Sequence, residues 1–158
     1  KNQTFLLDIA LELKKKWDIA ILLLGTGSKE NLLKEKAKRL GISREIFFLG
    51  NVENVEEYLS ASDLFVFPSK SEGFGIVLLE AQANGLQCFA SDKVIPKATN
   101  AADGITFLPL DNNASFWAEK IIKNYKYHRL EETKIHKLKE QYDIKDCIKK
   151  LQEMYLEG

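Results

Sequence analysis

Cysteine and histidine are scarce in this 158-residue sequence, which contains two of each. Cys88 and Cys147 do not form a Cys-x-x-Cys pair, and neither falls into a ligand spacing with His128 or His136. The sequence therefore predicts neither a disulfide framework nor a zinc site. Two thiols outside any such pattern are typical of a reducing compartment, so we expect a cytoplasmic protein.

The sequence also lacks an excess of charge of either sign, and it lacks long hydrophobic runs. Lysine and arginine number 23, and aspartate and glutamate also number 23, whereas nucleic-acid-binding domains usually carry a basic excess. No apolar run approaches the roughly 20 residues that a membrane-spanning helix needs. We therefore expect one soluble domain over residues 1–158 with no nucleic-acid partner.

Short apolar runs, bounded by glycine or proline, alternate with helical patterns along the chain. The runs predict strands at residues 19–24, 46–49, 64–67, 87–90 and 105–108. The helical patterns predict helices at residues 3–16, 28–40, 54–61 and 76–84, and from about 114 to 156, with Ser28 as a cap. This alternation predicts an α/β fold with a Rossmann-like parallel sheet and helices on both faces.

The sequence opens at Lys1 inside a helical pattern, with no strand before it and no initiating methionine. We expect a piece of a longer protein that lacks the first strand of its sheet. On the last helix, an apolar stripe of Ile144, Ile148, Leu151 and Tyr155 predicts packing on this domain.

Residues 68–85 carry the most informative pattern. A strand ends at Pro68, a loop with Gly73 and Gly75 follows, and a helix begins. In an open α/β sheet, ligands bind beyond the carboxyl ends of the strands, where this loop lies. The free N–H groups of residues 75–77 and the positive end of the helix dipole suit a diphosphate without a metal ion.

Glu72 and Glu80 flank this helix start, with seven residues between them. Glu80 lies between Leu79 and Ala81 on an otherwise apolar helix, where a carboxylate seldom stays without partners. The two hydroxyl groups of a ribose would provide such partners. Glu72 precedes the glycines and could accept hydrogen bonds from sugar hydroxyls. Each carboxylate alone is more simply explained as a surface residue, but together with Gly-Phe-Gly they indicate a nucleotide-sugar site.

Residues 72–81, Glu-Gly-Phe-Gly-Ile-Val-Leu-Leu-Glu-Ala, resemble the E-x7-E signature of the group 1 family of retaining glycosyltransferases. Residues 22–27 are similar to that family's strand and Gly-x-Gly turn, residues 47–50 to the strand before its base-contacting loop, and residues 61–69 to the strand before the signature. The resemblance covers nearly the whole chain. It implies the GT-B architecture, in which two Rossmann-like domains face across a cleft and the C-terminal one binds the nucleotide-sugar donor.

The resemblance also implies roles for the matching residues. Glu72 would bind the donor sugar near the reacting carbon, and Glu80 would bind the ribose hydroxyls. Lys1 matches the lysine that reaches the diphosphate. The other implied donor contacts are Gly73, Phe74, Gly75, Ile76 and Val77 along the sugar and phosphates, and Gly25, Gly27, Asn51 and Val52 near the nucleoside.

The implied reaction is transfer of a hexose-type sugar, with retention at the anomeric carbon, to a glycan or lipid-linked acceptor in bacterial surface polysaccharide synthesis. A UDP-sugar is the favoured donor. No cofactor and no metal ion is implied, and the sequence contains no Asp-x-Asp pair, the usual metal-diphosphate holder of the other large class of sugar transferases. Covalent attack by Glu72 and same-face attack guided by the leaving phosphate remain alternatives.

Three other functions remain open. A non-catalytic nucleotide-sugar-binding module would be favoured by a disrupted E-x7-E spacing, but the spacing is intact. A nicotinamide-dependent oxidoreductase would use the glycines at 25 and 27, but Glu30 occupies the third glycine position of that fingerprint. A sugar-nucleotide epimerase of the same architecture would lack the Glu-Gly-Phe-Gly run.

Two departures from the family pattern accompany the resemblance. Residues 92–97 replace a Gly-Gly-x-x-Glu-like turn after the fourth strand, so we expect some donor contacts to differ there. Because the acceptor domain is absent, we also expect no turnover by this chain alone.

Overall fold

The structure is a computed structural model, and it describes residues 1–143 together with residues 145, 148, 152 and 153. Strands and helices alternate over the described part, as predicted. In chain order the elements are α1 (Gln3–Lys14), β1 (Ile21–Leu24), α2 (Glu30–Leu40), β2 (Ile46–Gly50), α3 (Val55–Ala61), β3 (Leu64–Phe67), α4 (Ile76–Ala83), β4 (Gln87–Ser91), β5 (Ile105–Leu108), α5 (Ala114–Asn124) and α6 (Glu132–Gln141). A short 3-10 turn at Lys97–Thr99 precedes β5.

All strand pairs are parallel, and they form two sheets. β1 pairs with β2, while β3, β4 and β5 form a second sheet in that order. β4 is the central strand of the second sheet, so its backbone groups are paired on both sides. Among the described residues, β1 and β3 each have a strand partner on one side only.

The free edges of β1 and β3 border an open cavity of about 960 Å³, which we call the interstrand slot. Its lining includes every residue of Ile21–Leu24 and of Leu64–Phe67. It runs from Trp17, before β1, to Gly25, after β1, and so spans the full length of the strand.

Helices cover both faces of the three-stranded sheet, as predicted. Alternate residues of β4 point to opposite faces, as in any strand. Cys88 and Ala90 are fully buried in a core cluster with Leu78 and Ala81 of α4. Phe89, 1% exposed, packs in the opposite direction against α1 and α5, in a cluster that contains the fully buried Trp117. These two cores hold the carboxyl ends of β3 and β4 in a fixed position.

Several predicted boundaries were wrong. The first strand begins at Ile21 rather than at residue 19, and the second helix has Lys29, not Ser28, at its N-cap position. The helical region predicted from about residue 114 is interrupted: after α5 the chain passes through an extended Tyr125 and through Tyr127, whose φ is 52°, before α6 begins at Glu132. Apolar periodicity does not report such an interruption.

The predicted apolar stripe on the last helix falls mainly outside the described residues, which do not include Ile144, Leu151 or Tyr155. Ile148 is described and is 49% exposed. Within the described part of the chain, the helices lack the combination of length and apolarity that a transmembrane span requires.

Candidate functional site

The loop that follows β3 ends in a tight entry into α4. Gly75 adopts a φ of 81°, in the left-handed region that disfavours side chains. A Cβ at this position would lie 3.4 Å from Leu78 Cδ1 and 3.6 Å from Ile95 Cδ1. The N–H groups of residues 75–77 have no acceptor inside the helix, as at any helix start. Three adjacent donors and the positive end of a helix dipole therefore lie at the carboxyl end of β3.

Two buried side chains support this loop from behind. The hydroxyl of Thr99 donates to the carbonyl oxygen of Phe74 at 2.8 Å. The amide nitrogen of Gln82 in turn donates to the carbonyl oxygens of Thr99, at 2.8 Å, and Leu78, at 2.9 Å. Both Thr99 and Gln82 are fully buried. The 3-10 turn and α4 thus fix the loop between them, and sequence analysis identified neither residue.

Residues 92–97, the departure from the family pattern, pack next to this support. Ile95 is 4% exposed and faces Gly75, while Lys97 Nζ lies 3.7 Å from the centre of the Phe107 ring. Lys93 forms an ion pair with Asp111 at the surface. The segment that replaces the Gly-Gly-x-x-Glu-like turn therefore contributes an apolar contact behind the loop.

Glu72 lies in an enclosed, positively charged environment. Its Oε1 accepts a hydrogen bond from Lys1 Nζ at 2.6 Å and from Ser69 Oγ at 2.8 Å, and its side chain is only 9% exposed. Burial acts to raise the pKa of this carboxyl, but the hydrogen bonds from Lys1 and Ser69 outweigh it, so the pKa of Glu72 lies below its ordinary value. Lys1 Nζ also lies 5.0 Å from the centre of the Phe67 ring.

Glu80 has the opposite environment. The prediction that its apolar neighbours leave the carboxylate in need of partners was wrong. Its side chain is exposed, and within the described residues its carboxylate has no hydrogen bond or ion pair. The neighbouring residues Leu79 and Ala81 are buried, because they face the core while Glu80 projects from the other side of α4. Its position one turn into α4 leaves the carboxylate accessible beside the helix start.

A second group of predicted residues lies at the carboxyl ends of β1 and β2. The N–H of Gly25 donates to the carbonyl oxygen of Gly50 at 2.6 Å, which joins the two strand ends. Gly27 and Asn51 are exposed next to this bridge, and Val52 is half-buried. The predicted nucleoside contacts therefore share one surface, at the carboxyl ends of the two-stranded sheet.

At the carboxyl ends of β1 and β3, the interstrand slot lies between the residues around the start of α4 and the residues that follow β1 and β2. Lys1, Gly25, Gly27 and Val77 all contribute to its lining. The described residues contain no cluster of three or more histidine, cysteine, aspartate or glutamate side chains arranged to hold a metal ion.

The chain matches the sequence profile of the glycosyl transferases group 1 family over residues 1–142. Among curated proteins, it is 36% identical over 124 residues to EpsF of Bacillus subtilis, whose name assigns it to the glycosyltransferases. That alignment covers 78% of this chain and 32% of EpsF. A capsular polysaccharide biosynthesis glycosyltransferase of Staphylococcus aureus, CapH, is 27% identical over an alignment covering 99% of this chain and 44% of CapH. The chain thus spans less than half the length of these relatives.

Solved structures share the fold. TarM of S. aureus, crystallised with fondaparinux, a GlcNAc-glycerol and UDP, superimposes with a TM-score of 0.82 at 20% identity over 98% of this chain and 33% of TarM. HepE of Anabaena, crystallised with UDP and glucose, gives a TM-score of 0.77 at 20% identity over all of this chain and 45% of HepE. These superpositions show that the chain has the α/β, Rossmann-like fold of one domain of a GT-B structure.

Proposed function

This chain belongs to the group 1 family of glycosyl transferases, whose profile it matches over residues 1–142, and on that premise we propose that it is the donor-binding half of a retaining glycosyltransferase. The full-length protein would transfer a hexose-type sugar from a nucleoside-diphosphate sugar, with UDP-sugar favoured, to a glycan or lipid-linked acceptor. The partner N-terminal domain would bind that acceptor.

The observation that carries the proposal is the geometry around the start of α4. The N–H groups of residues 75–77 and the helix dipole would bind a diphosphate, and the loop that leads into this helix start carries Glu72, which pairs with Lys1. The loop is held by the hydrogen bond from the Thr99 hydroxyl to the carbonyl oxygen of Phe74, so its donors are oriented before a ligand arrives. Preoriented donors stabilise the charge that develops on a leaving diphosphate without first having to reorganise.

Lys1 would exchange partners when the donor binds. In the structure its ammonium neutralises Glu72, at a distance of 2.6 Å. A diphosphate at the start of α4 would offer a second anion within reach of the same flexible side chain. Release of Glu72 would then allow its carboxylate to accept hydrogen bonds from the donor sugar, near the reacting carbon.

The nucleoside would occupy the side of the site toward β1 and β2. Glu80 is exposed one turn into α4, so its carboxylate is free to accept hydrogen bonds from both ribose hydroxyls. Gly25, Gly27, Asn51 and Val52 would contact the base or ribose across the end of the slot. Close approach is sterically open there, since a Cβ at Gly25 or at Gly27 would meet nothing within 4 Å.

The setting we propose is bacterial surface polysaccharide synthesis. CapH is named for capsular polysaccharide biosynthesis, and LpsB of Rhizobium meliloti, 41% identical over 63 residues, is named a lipopolysaccharide core biosynthesis mannosyltransferase. In such a setting the full-length enzyme would act in the cytoplasm, with peripheral contact at the inner face of the membrane. We expect no turnover by the 158-residue chain alone, because Glu72 would have no acceptor beside it.

The test is a calorimetric titration of the chain with UDP, GDP and ADP, with and without magnesium. We expect saturable binding of one nucleotide that does not depend on magnesium. Glu80→Ala should weaken it about tenfold, because a charged acceptor of ribose hydroxyls contributes roughly 1.5 kcal/mol. Glu119→Ala, an exposed glutamate on α5 at the opposite face of the sheet, is the matched control and should bind like the parent.

Binding that is unchanged in Glu80→Ala, or that requires magnesium, would contradict the proposed site. Binding of all three nucleotides with equal affinity would instead favour a phosphate site without nucleoside recognition, and it would remove the role proposed for Asn51 and Val52.

A further inference from the structure

Two buried serines connect the carboxyl ends of β3 and β4 to the loop. Ser69 follows β3 and Ser91 ends β4, and both residues are fully buried. The hydroxyl of Ser91 donates to the carbonyl oxygen of Ser69 at 2.6 Å. This bond fixes the backbone of Ser69 relative to the central strand of the sheet, so the Ser69 side chain projects from a rigid position.

The hydroxyl of Ser69 has a choice of two acceptors. It lies 2.8 Å from Glu72 Oε1 and 3.1 Å from the carbonyl oxygen of Ser71. A serine hydroxyl carries a single proton and can fully donate to only one of them. The bond to an ionised carboxylate is shorter and roughly twice as strong as a bond to a neutral carbonyl. Ser69 therefore donates to Glu72.

The contacts of Glu72 are all on one oxygen. Both Lys1 Nζ and Ser69 Oγ reach Oε1. Oε2 has no hydrogen-bond partner among the described residues, and it is not one of the buried, unpartnered oxygens of the structure. The carboxylate is thus anchored through one oxygen and presents the other to the open side of the loop.

We propose that Ser69 is a positioning residue for the donor-sugar site, and that it holds Oε1 of Glu72 so that Oε2 receives the sugar hydroxyls. Lys1 is exposed and flexible, so its bond to Oε1 can break when a diphosphate binds. Ser69 is buried and anchored by Ser91, so its bond persists and keeps the carboxylate oriented after Lys1 has moved. This inference rests on the proposed function, because it assigns the sugar to the side of Glu72 that Oε2 faces.

Ser69→Ala removes the anchoring hydroxyl, and Ser71→Ala removes an exposed hydroxyl from the same loop as the matched control. The first measurement needs no ligand: carbon-detected NMR follows the titration of the Glu72 carboxyl. We expect the pKa of Glu72 to rise in Ser69→Ala and to stay unchanged in Ser71→Ala. The second measurement compares the affinities of UDP, UDP-glucose and UDP-N-acetylglucosamine.

In Ser69→Ala we expect the UDP-sugar that binds best to lose roughly five- to tenfold in affinity, while UDP itself binds as before. A role in stability alone would weaken both ligands together. If Ser69→Ala does not fold, Ser69→Cys keeps the volume with a weaker donor and should show the same changes at smaller size.

An unchanged Glu72 titration in a folded Ser69 variant would overturn the proposal, as would equal losses for UDP and the UDP-sugar. Failure of every variant and of the parent to bind UDP would count against the proposed function instead. In that case the Glu72 titration still decides whether Ser69 holds the carboxylate.

Discussion

The ammonium group of Lys1 lies 2.6 Å from Oε1 of Glu72, although 71 positions separate the two residues along the chain. The contact joins the segment before α1 to the loop after β3, across the carboxyl end of the interstrand slot. It also keeps an enclosed carboxylate ionised in the absence of ligand, and the first prediction follows from that charge.

Stability should decrease on acidification partly through Glu72. Its pKa in the folded protein lies below the ordinary value of 4.5, so the stabilising contribution is complete above that pH and is lost as pH falls through the lower folded value. Glu72→Gln should therefore show a shallower loss of unfolding free energy between about pH 5 and pH 3. Urea unfolding at several pH values measures this, with Glu119→Gln as an exposed control. Parallel curves for Glu72→Gln and the parent would refute it.

Gly75→Ala should impair both stability and nucleotide binding. A side chain at a φ of 81° is strained, by roughly 1–2 kcal/mol, and its Cβ would be in van der Waals contact with Leu78 and Ile95. Gly41→Ala is the matched control, because Gly41 has a φ of 69° at the end of α2 with nothing within 4 Å of its Cβ. Both variants should lose stability in thermal unfolding, but only Gly75→Ala should weaken nucleotide binding. Equal binding by the two would show that the entry into α4 is not part of the site.

Gln82→Leu should destabilise the domain and loosen the loop. The substitution leaves the N–H of Ala102 and the carbonyl oxygen of Thr99 without their buried partner. Unpaired buried groups of this kind cost about 2–4 kcal/mol together. Gln141→Leu, at the exposed end of α6, should change the unfolding free energy by less than about 0.5 kcal/mol. A loss no larger than that of the control would mean that water replaces the Gln82 amide.

Backbone amides that face the interstrand slot should exchange hydrogen faster than those of β4. β4 is paired on both sides, whereas β1 and β3 are each paired on one side in the described structure. Exchange measured by NMR on this 158-residue chain should show alternate amides of Ile21–Leu24 and Leu64–Phe67 unprotected, and all amides of Gln87–Ser91 protected. Uniform protection across β1, β3 and β4 would mean that an extended segment or a second chain occupies the slot.

Local sequence determined the order of elements and the position of the loop between β3 and α4. Apolar runs that end at Gly25, Gly50 and Pro68 were sufficient to predict parallel strands, because a strand buried on both faces needs a continuous apolar sequence and a break after it. The position of the loop at the carboxyl end of β3 followed from the same pattern. These features depend on residues within about ten positions of one another, and the structure confirmed them.

Only the tertiary structure decided which side chains meet and which face water. Glu80 was predicted to need partners because its neighbours are apolar, yet α4 turns it away from the core and it is exposed. Thr99, Gln82 and Ser91 give no signal in the sequence, because their hydrogen bonds reach residues 17 to 25 positions away. The ion pair of Lys1 with Glu72 and the slot between β1 and β3 likewise exist only once the strands are placed side by side. Periodicity reports the direction of each side chain relative to its own element, whereas the charge state, burial and bonding of a site depend on how separate elements pack together.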